Sequence, residues 1–142
     1  LEYDPADIAR LLERAEDALP TVVAVYGQRP SCWDRPSRWP FVMAVLIVDL
    51  WIWLVYRGWV RDHATCYKLL PRELLNSFDL QANGFEGCVE ITAKLLLCSI
   101  PILRVPISYS PRSTRDGKKL RPTYGWTALC AVWRFRKWHP HQ

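Results

Sequence analysis

Five cysteines are scattered through the 142 residues, Cys32, Cys66, Cys88, Cys98 and Cys130, and no two of them form a CxxC pair. That spacing gives neither a disulfide framework nor a zinc site, and it suits a reducing compartment. Charge is modest, at 23%, beside 13% aromatic residues, which excludes a solvated, disordered coil. Internal repeats and low-complexity tracts are lacking. There is no initiator Met, and Leu1 opens no signal-peptide pattern. The longest apolar stretch, residues 41–56, stops at 16 and carries Asp49 near its middle. A spanning helix wants about 20 apolar residues and loses ~3 kcal/mol to a central carboxylate. A helix buried in the core, or lying at a membrane interface, fits better.

What is present suits one domain, since half of the chain is apolar and a packed core is within reach. Nineteen Lys and Arg face 14 Asp and Glu, and the excess is uneven: residues 110–142 hold eight Lys or Arg and one Asp. Such a tail seeks phosphate, on a nucleotide, a nucleic acid or a lipid. Asp4-Pro5 predicts a capped helix start, and Ile8, Leu11, Leu12, Ala15 and Leu19 give that helix one apolar stripe. Thr21 to Tyr26 reads as a buried strand closed by Gly27. The pair is expected to be the second half of a strand–helix–strand unit, which makes the chain a fragment.

Residues 28–40 read as a loop, and Trp39, Trp51, Trp53 and Trp59 flank or stud the apolar stretch, where indole rings favour a headgroup layer. A polar turn over 62–68, a short helix from Pro71 to Phe78 and a loop over 79–84 follow. A helix from Gly87 to Cys98 should turn Val89, Ala93 and Leu96 or Leu97 inward and pair Glu90 with Lys94. Ile102 to Tyr109 alternates as a strand, and Pro106 confines it to an edge or an irregular position. After a basic loop over 110–122, Tyr124 to Trp138 forms a cationic helix along Trp126, Leu129, Trp133 and Arg136 or Lys137. Helices alternating with strands make the class α/β.

Several groups could carry chemistry. Glu2 and Asp4 stand where a strand would end and its helix begin, the usual ligand crevice of an open α/β sheet. Two oxygen ligands there suit Mg²⁺ or Mn²⁺; the plainer reading is a helix cap and a solvated acid. Asp62, Thr65, Tyr67 and Lys68 share one turn that could line a site or satisfy its own backbone. Glu86 and Glu90, four apart, could work as an acid/base pair, grip a hydroxyl-rich ligand, or answer the helix dipole. Arg112, Arg115, Lys118, Lys119 and Arg121 could wrap a phosphate or diphosphate, or be solvated. Arg134, Arg136 and Lys137 alternate with Trp133, Phe135 and Trp138, which suits a membrane surface, with single-stranded nucleic acid as the rival.

Five segments occur together in one order: Leu1–Pro5 (LEYDP), Val25–Arg29 (VYGQR), Asp62–Lys68 (DHATCYK), Gly84–Lys94 (GFEGCVEITAK) and Val105–Lys119 (VPISYSPRSTRDGKK). In that order the chain resembles the second half of a family 2 glycosyltransferase of the Rossmann-like GT-A fold. Its branch looks like the polyprenyl-phosphate sugar transferases, the dolichyl-phosphate mannose synthase-like enzymes. The resemblance implies that an Asp-x-Asp metal pair and the nucleotide-binding half fall upstream of Leu1. Glu2 matches the third position of that Mg²⁺ or Mn²⁺ cluster. Arg29 matches a lipid-phosphate contact, with Gln28 where the family has Ser, and Asp62, Thr65, Tyr67 and Lys68 match the acceptor-side turn. Glu86 and Glu90 match two acids beside the sugar. Arg112 and Lys118 or Lys119 match a basic loop over the diphosphate. Gly87, Cys88 and Val89 between the acids, and Arg61 before Asp62, depart from the family's usual residues.

The expectation that follows is transfer of a hexose, with inversion, from a nucleotide sugar to dolichyl or undecaprenyl phosphate at the cytoplasmic face of a membrane. Residues 1–122 would be the back of the catalytic domain, and 123–142 a basic, aromatic interfacial helix. This chain alone would be inactive. The rivals are a soluble saccharide acceptor, with Glu86 as base, and a non-catalytic membrane-associated remnant. Nucleic acid is not expected as a partner, because acids at 86 and 90 accompany the cationic loop.

Overall fold

The computed structural model describes residues 2–30, 39–110 and 123–140. It is mixed α/β, with five helices and three strands among those residues: α1 (Asp7–Glu16), β1 (Ala24–Gln28), α2 (Trp39–Tyr56), β2 (Lys68–Leu69), α3 (Arg72–Ser77), α4 (Gly87–Leu97), β3 (Ile102–Pro106) and α5 (Thr123–Phe135). The sheet runs β2-β1-β3, with β1 antiparallel to β2 and parallel to β3. Val25 pairs with Leu103 on one side and Leu69 on the other. Pro106, the last residue of β3, lies on an outer strand, where a missing N–H is tolerated.

Three apolar clusters build the layers. Alternate residues of the central strand go to opposite faces. Val25 joins Leu11 of α1 with Val23, Val105 and Ile107, while Ala24 and Tyr26 join Phe78, Val60 and Leu95 of α4 on the other face. Helix α4 has a second apolar face, Val89 and Ala93, which meets Val48 and Ile52 of α2 and Ala128, Ala131, Val132 and Phe135 of α5. The order is therefore α1, sheet, α4, then α2 and α5. Glu90 and Lys94 form the expected i,i+4 pair, 2.6 Å apart, but entirely inside the protein rather than on its surface.

Several expectations shift. Paired strand starts at Ala24, where its N–H reaches the Pro101 carbonyl, because Thr21 is tied into the preceding turn through the Ala18 carbonyl. Helix α1 starts later than Asp4-Pro5 predicts: Asp4 Oδ1 accepts the Ala6 N–H at 2.9 Å in the turn before it, and the helix itself has Ala6 in the cap position with no side-chain cap. Of the α1 stripe, Leu11 is buried, whereas Ile8, Leu12 and Leu19 are exposed, since α1 packs chiefly on β1 and β3 and that narrow support covers one row. In α5 the inward face is Ala128, Ala131, Val132 and Phe135, while Trp126 and Trp133 are 70% and 52% exposed. Two alanines allow close approach where an indole would hold the helices apart.

Helix α2 is not the core helix that its composition permits. Only Val48, Asp49 and Ile52 are buried along its 18 residues, although its mean hydropathy of 1.9 would allow a membrane crossing by length and composition. Met43, Ile47, Leu50 and Leu54 are exposed at intervals of four, three and four, one continuous stripe opposite the packed face.

Candidate functional site

The carboxyl ends of the two parallel strands, Gln28 and Pro106, lie side by side. The chain leaves β1 through Arg29 and β3 through Ser108, Tyr109 and Ser110. Tyr109 bridges back to Tyr3, and the Ser110 N–H donates to the Glu2 carbonyl at 2.9 Å. Asp7, buried in α1, fixes this edge by accepting the Ser108 N–H at 2.7 Å. Between Glu2–Pro5 and Ser108–Ser110 opens a cleft of about 490 Å³.

Arg29 is the cation of this edge. Its Nε donates to Asp62 Oδ2 at 2.8 Å, its Nη2 donates to Asp62 Oδ1, and its backbone N–H reaches the same carboxylate at 3.3 Å. The guanidinium carbon lies 5.2 Å from the Tyr109 ring centre and 5.7 Å from that of Phe41 in α2. Burial works against its charge, but the Asp62 hydrogen bonds more than offset it and the pKa is raised. Burial likewise pushes the Tyr3 and Tyr109 phenols up, against the pull of Arg29. The edge thus holds the Arg29–Asp62 ion pair among neutral phenols.

The turn that carries Asp62 is built from α2. Asp49 accepts the Asp62 N–H at 2.9 Å and the His63 N–H at 3.2 Å, and lies 2.6 Å from His63 Nδ1. Asp62 takes a left-handed backbone, φ 64°, which Asp tolerates better than most residues. Lys68 closes the turn by donating to the His63 carbonyl at 2.8 Å and to the Thr65 carbonyl, with its ammonium 4.8 Å from the Tyr26 ring. Burial lowers the Lys68 pKa. Thr65 is fully buried, and its Oγ1 has no hydrogen-bond partner. Tyr67 packs against Tyr3, with ring centres 4.8 Å apart and planes tilted by 38°, and donates to the Asp4 carbonyl at 3.3 Å. Gly27 is needed beside it, since a Cβ there would lie 3.0 Å from that of Tyr67 and 2.9 Å from Ile107 Cδ1.

The structure therefore gathers Glu2, Arg29, Asp62 and Tyr67 near the carboxyl edge of the sheet, whereas the Lys68 side chain turns to the other face, against Tyr26. Glu86 and Glu90 stay one helical turn apart, the Glu90 N–H donating to the Glu86 carbonyl at 2.9 Å, but only Glu90 is buried. Glu90 is buried, accepting the Gln81 and Ala82 N–H groups at 3.0 and 2.8 Å and the Lys94 ammonium at 2.6 Å. Lys94 also donates to the Phe78 and Asp79 carbonyls. Glu90 so placed is engaged by the Gln81 and Ala82 amides and by Lys94, and fastens the 79–82 loop to α4. Glu86 stays half-exposed at the start of α4, its carboxylate folded over Gly84. Arg112, Lys118 and Lys119 lie outside the described residues.

Glu2 lines the cleft with Asp4, but among the described residues no group of three His, Cys, Asp or Glu gathers there. Two carboxylates fall short of the oxygen shell that Mg²⁺ or Mn²⁺ takes, so these residues do not make a complete metal centre by themselves.

Tyr3, Tyr109, Phe41 and Asp49 belong to the site without having been singled out by sequence. Tyr3 and Tyr109 sat inside the LEYDP and VPISYS segments, an available signal. Asp49 gave none, because its partners are backbone groups of a turn 13 residues on. In comparisons with known proteins the chain matches no family model, no curated protein and no solved structure.

Proposed function

We propose that this chain is the acceptor side of a family 2-type, GT-A glycosyltransferase that moves a hexose from a nucleotide sugar to a polyprenyl phosphate at a membrane surface. The observation that supports it most is the Arg29 edge. A fixed cation stands at the carboxyl ends of two parallel strands, where α/β sheets bind ligands, and it touches the first turn of an 18-residue apolar helix. A lipid phosphate needs both features, a guanidinium for its oxygens and an apolar surface for its chain.

In this reading the acceptor phosphate is already an anion near neutral pH, so no strong base is required. Its oxygen forms the new bond to the anomeric carbon from the face opposite the departing nucleoside diphosphate, which leaves with the electron pair of the broken C–O bond and inverts the centre. Arg29, held by Asp62, orients the phosphate. Tyr3 and Tyr109, kept neutral, line its approach. The resemblance assigns Arg112 and Lys118 or Lys119 to the departing diphosphate, Glu2 to a divalent cation completed by groups outside these residues, and Glu86 to sugar hydroxyls.

The test is binding of a short-chain polyprenyl phosphate, followed by organic-phase recovery of labelled sugar from UDP-glucose or GDP-mannose in the full-length protein. Arg29→Gln should weaken acceptor binding by roughly 10- to 100-fold, the worth of a charge-assisted hydrogen bond. Unchanged acceptor binding would sink the reading. The half-exposed Glu86 keeps a rival alive, in which it deprotonates a saccharide hydroxyl. Label appearing in water-soluble saccharide, and lost in Glu86→Gln, would select that instead.

A further inference from the structure

We infer that the groove between α2 and α5 is a second lipid site, which holds the phosphate headgroup of an anionic phospholipid. Its floor is Trp51, Leu54 and Val55 of α2 with Trp133 of α5, its rim is Arg136 and Lys137, and its volume is about 510 Å³. The two indoles are stacked, 6.2 Å between centres and 22° between planes. Arg136 lies over the Trp133 ring at 3.6 Å and donates to the Trp133 carbonyl at 2.6 Å, so the cation is held at the lip rather than left to swing.

Two observations choose the occupant. Residues 123–142 contain no Asp or Glu, so Arg136 and Lys137 meet no acid within their own segment, and their charge complements an anion. The groove is continuous with the exposed Leu50 and Leu54 of the α2 stripe, with Trp133 about half-exposed beside it. Indole at the boundary and cations at the rim are the arrangement that favours the headgroup layer of an anionic membrane. The site is separate from Arg29. Arg29 touches Phe41, and Trp51 lies ten residues further along α2, about 15 Å at the helical rise. It stands whether or not the chain serves sugar transfer.

The experiment is co-sedimentation of the full chain with phosphatidylcholine vesicles, with and without about one-third phosphatidylglycerol. Arg136→Gln/Lys137→Gln should lose the advantage that the anionic lipid confers, about 30-fold from roughly 5-fold per cation. Trp133→Ala should weaken binding to both vesicle types. Arg14→Gln/Arg104→Gln removes equal charge from exposed positions on α1 and β3, and should cost several-fold less. All three variants alter exposed or rim side chains, and circular dichroism checks their folding. The inference is overturned if wild type ignores phosphatidylglycerol, or if the two double variants lose binding equally, which is bulk charge alone. It is overturned too if Trp133→Ala turns a dimer into a monomer without changing vesicle binding, which gives the groove to a second copy.

Discussion

At the scale of single residues, the strongest dependence falls on Lys94 and Glu90. Lys94→Met would leave the Glu90 carboxylate buried with only the Gln81 and Ala82 amides, and would strand the Phe78 and Asp79 carbonyls. Breaking a buried pair from one side costs about 3–5 kcal/mol, readable in urea unfolding. The Glu90→Gln/Lys94→Met double variant should cost less than the sum of the singles, since it leaves no lone charge. Burial opposes the Glu90 charge, but Lys94 and the two amides more than offset it and hold the pKa below the ordinary glutamate value. A depressed carboxylate adds stability that is complete above pH 4.5 and is lost as pH falls through the folded value. Glu90→Gln should therefore flatten the acid limb of the stability curve below pH 4.5; an unchanged limb would contradict this. Asp62→Asn tests the other pair. Asn accepts the same left-handed backbone, so the loss of about 2 kcal/mol expected in unfolding reports the Arg29 contact and not strain.

Among elements, α2 shows why part of the site was readable in the sequence and part was not. Residues 41–56 announce a helix, and the i,i+4 spacing announces the Glu90–Lys94 pair, because both depend on neighbours one turn away. Which way Asp49 faces depends on a turn that tertiary folding brings to it. On apolar periodicity Asp49 is a penalty; in the fold it is the post on which Asp62 and His63 hang. Arg29, Asp62 and Tyr67 were nameable from ordered segments, yet the carboxylate that grips Arg29 comes from 33 residues on. Asp49→Leu, a better helix by composition, should cost about 3 kcal/mol, since it orphans two buried N–H groups and the His63 ring. Hydrogen exchange at the Asp62 and His63 amides should accelerate selectively. Gly27→Ala, in the central strand, should cost about 1–3 kcal/mol by crowding Ile107 and Tyr67.

For the whole molecule, the question is what covers the α2 stripe. The α/β class was legible, but the parallel pairing of β1 with β3 joins residues more than 70 apart, and no local pattern encodes it. That pairing puts α4 in the middle and leaves α2 and α5 as an outer layer with Met43, Ile47, Leu50, Leu54, Trp126 and Trp133 bare. A contiguous apolar face of this kind is a contact surface or a liability. In plain buffer the chain is therefore expected to self-associate as its concentration rises, measured by sedimentation velocity. Mild non-ionic detergent should disperse it and added salt should not, because the contact is apolar rather than ionic. The decisive variant is Ile47→Lys/Leu54→Lys. If the stripe faces only solvent or lipid, two lysines there change folding stability by no more than about 0.5 kcal/mol each and abolish both self-association and binding to neutral vesicles. If another part of the fold covered the stripe, the same variant would bury two unpaired charges and unfold the chain. A soluble, stable and monomeric double variant is the outcome that this arrangement of helices requires.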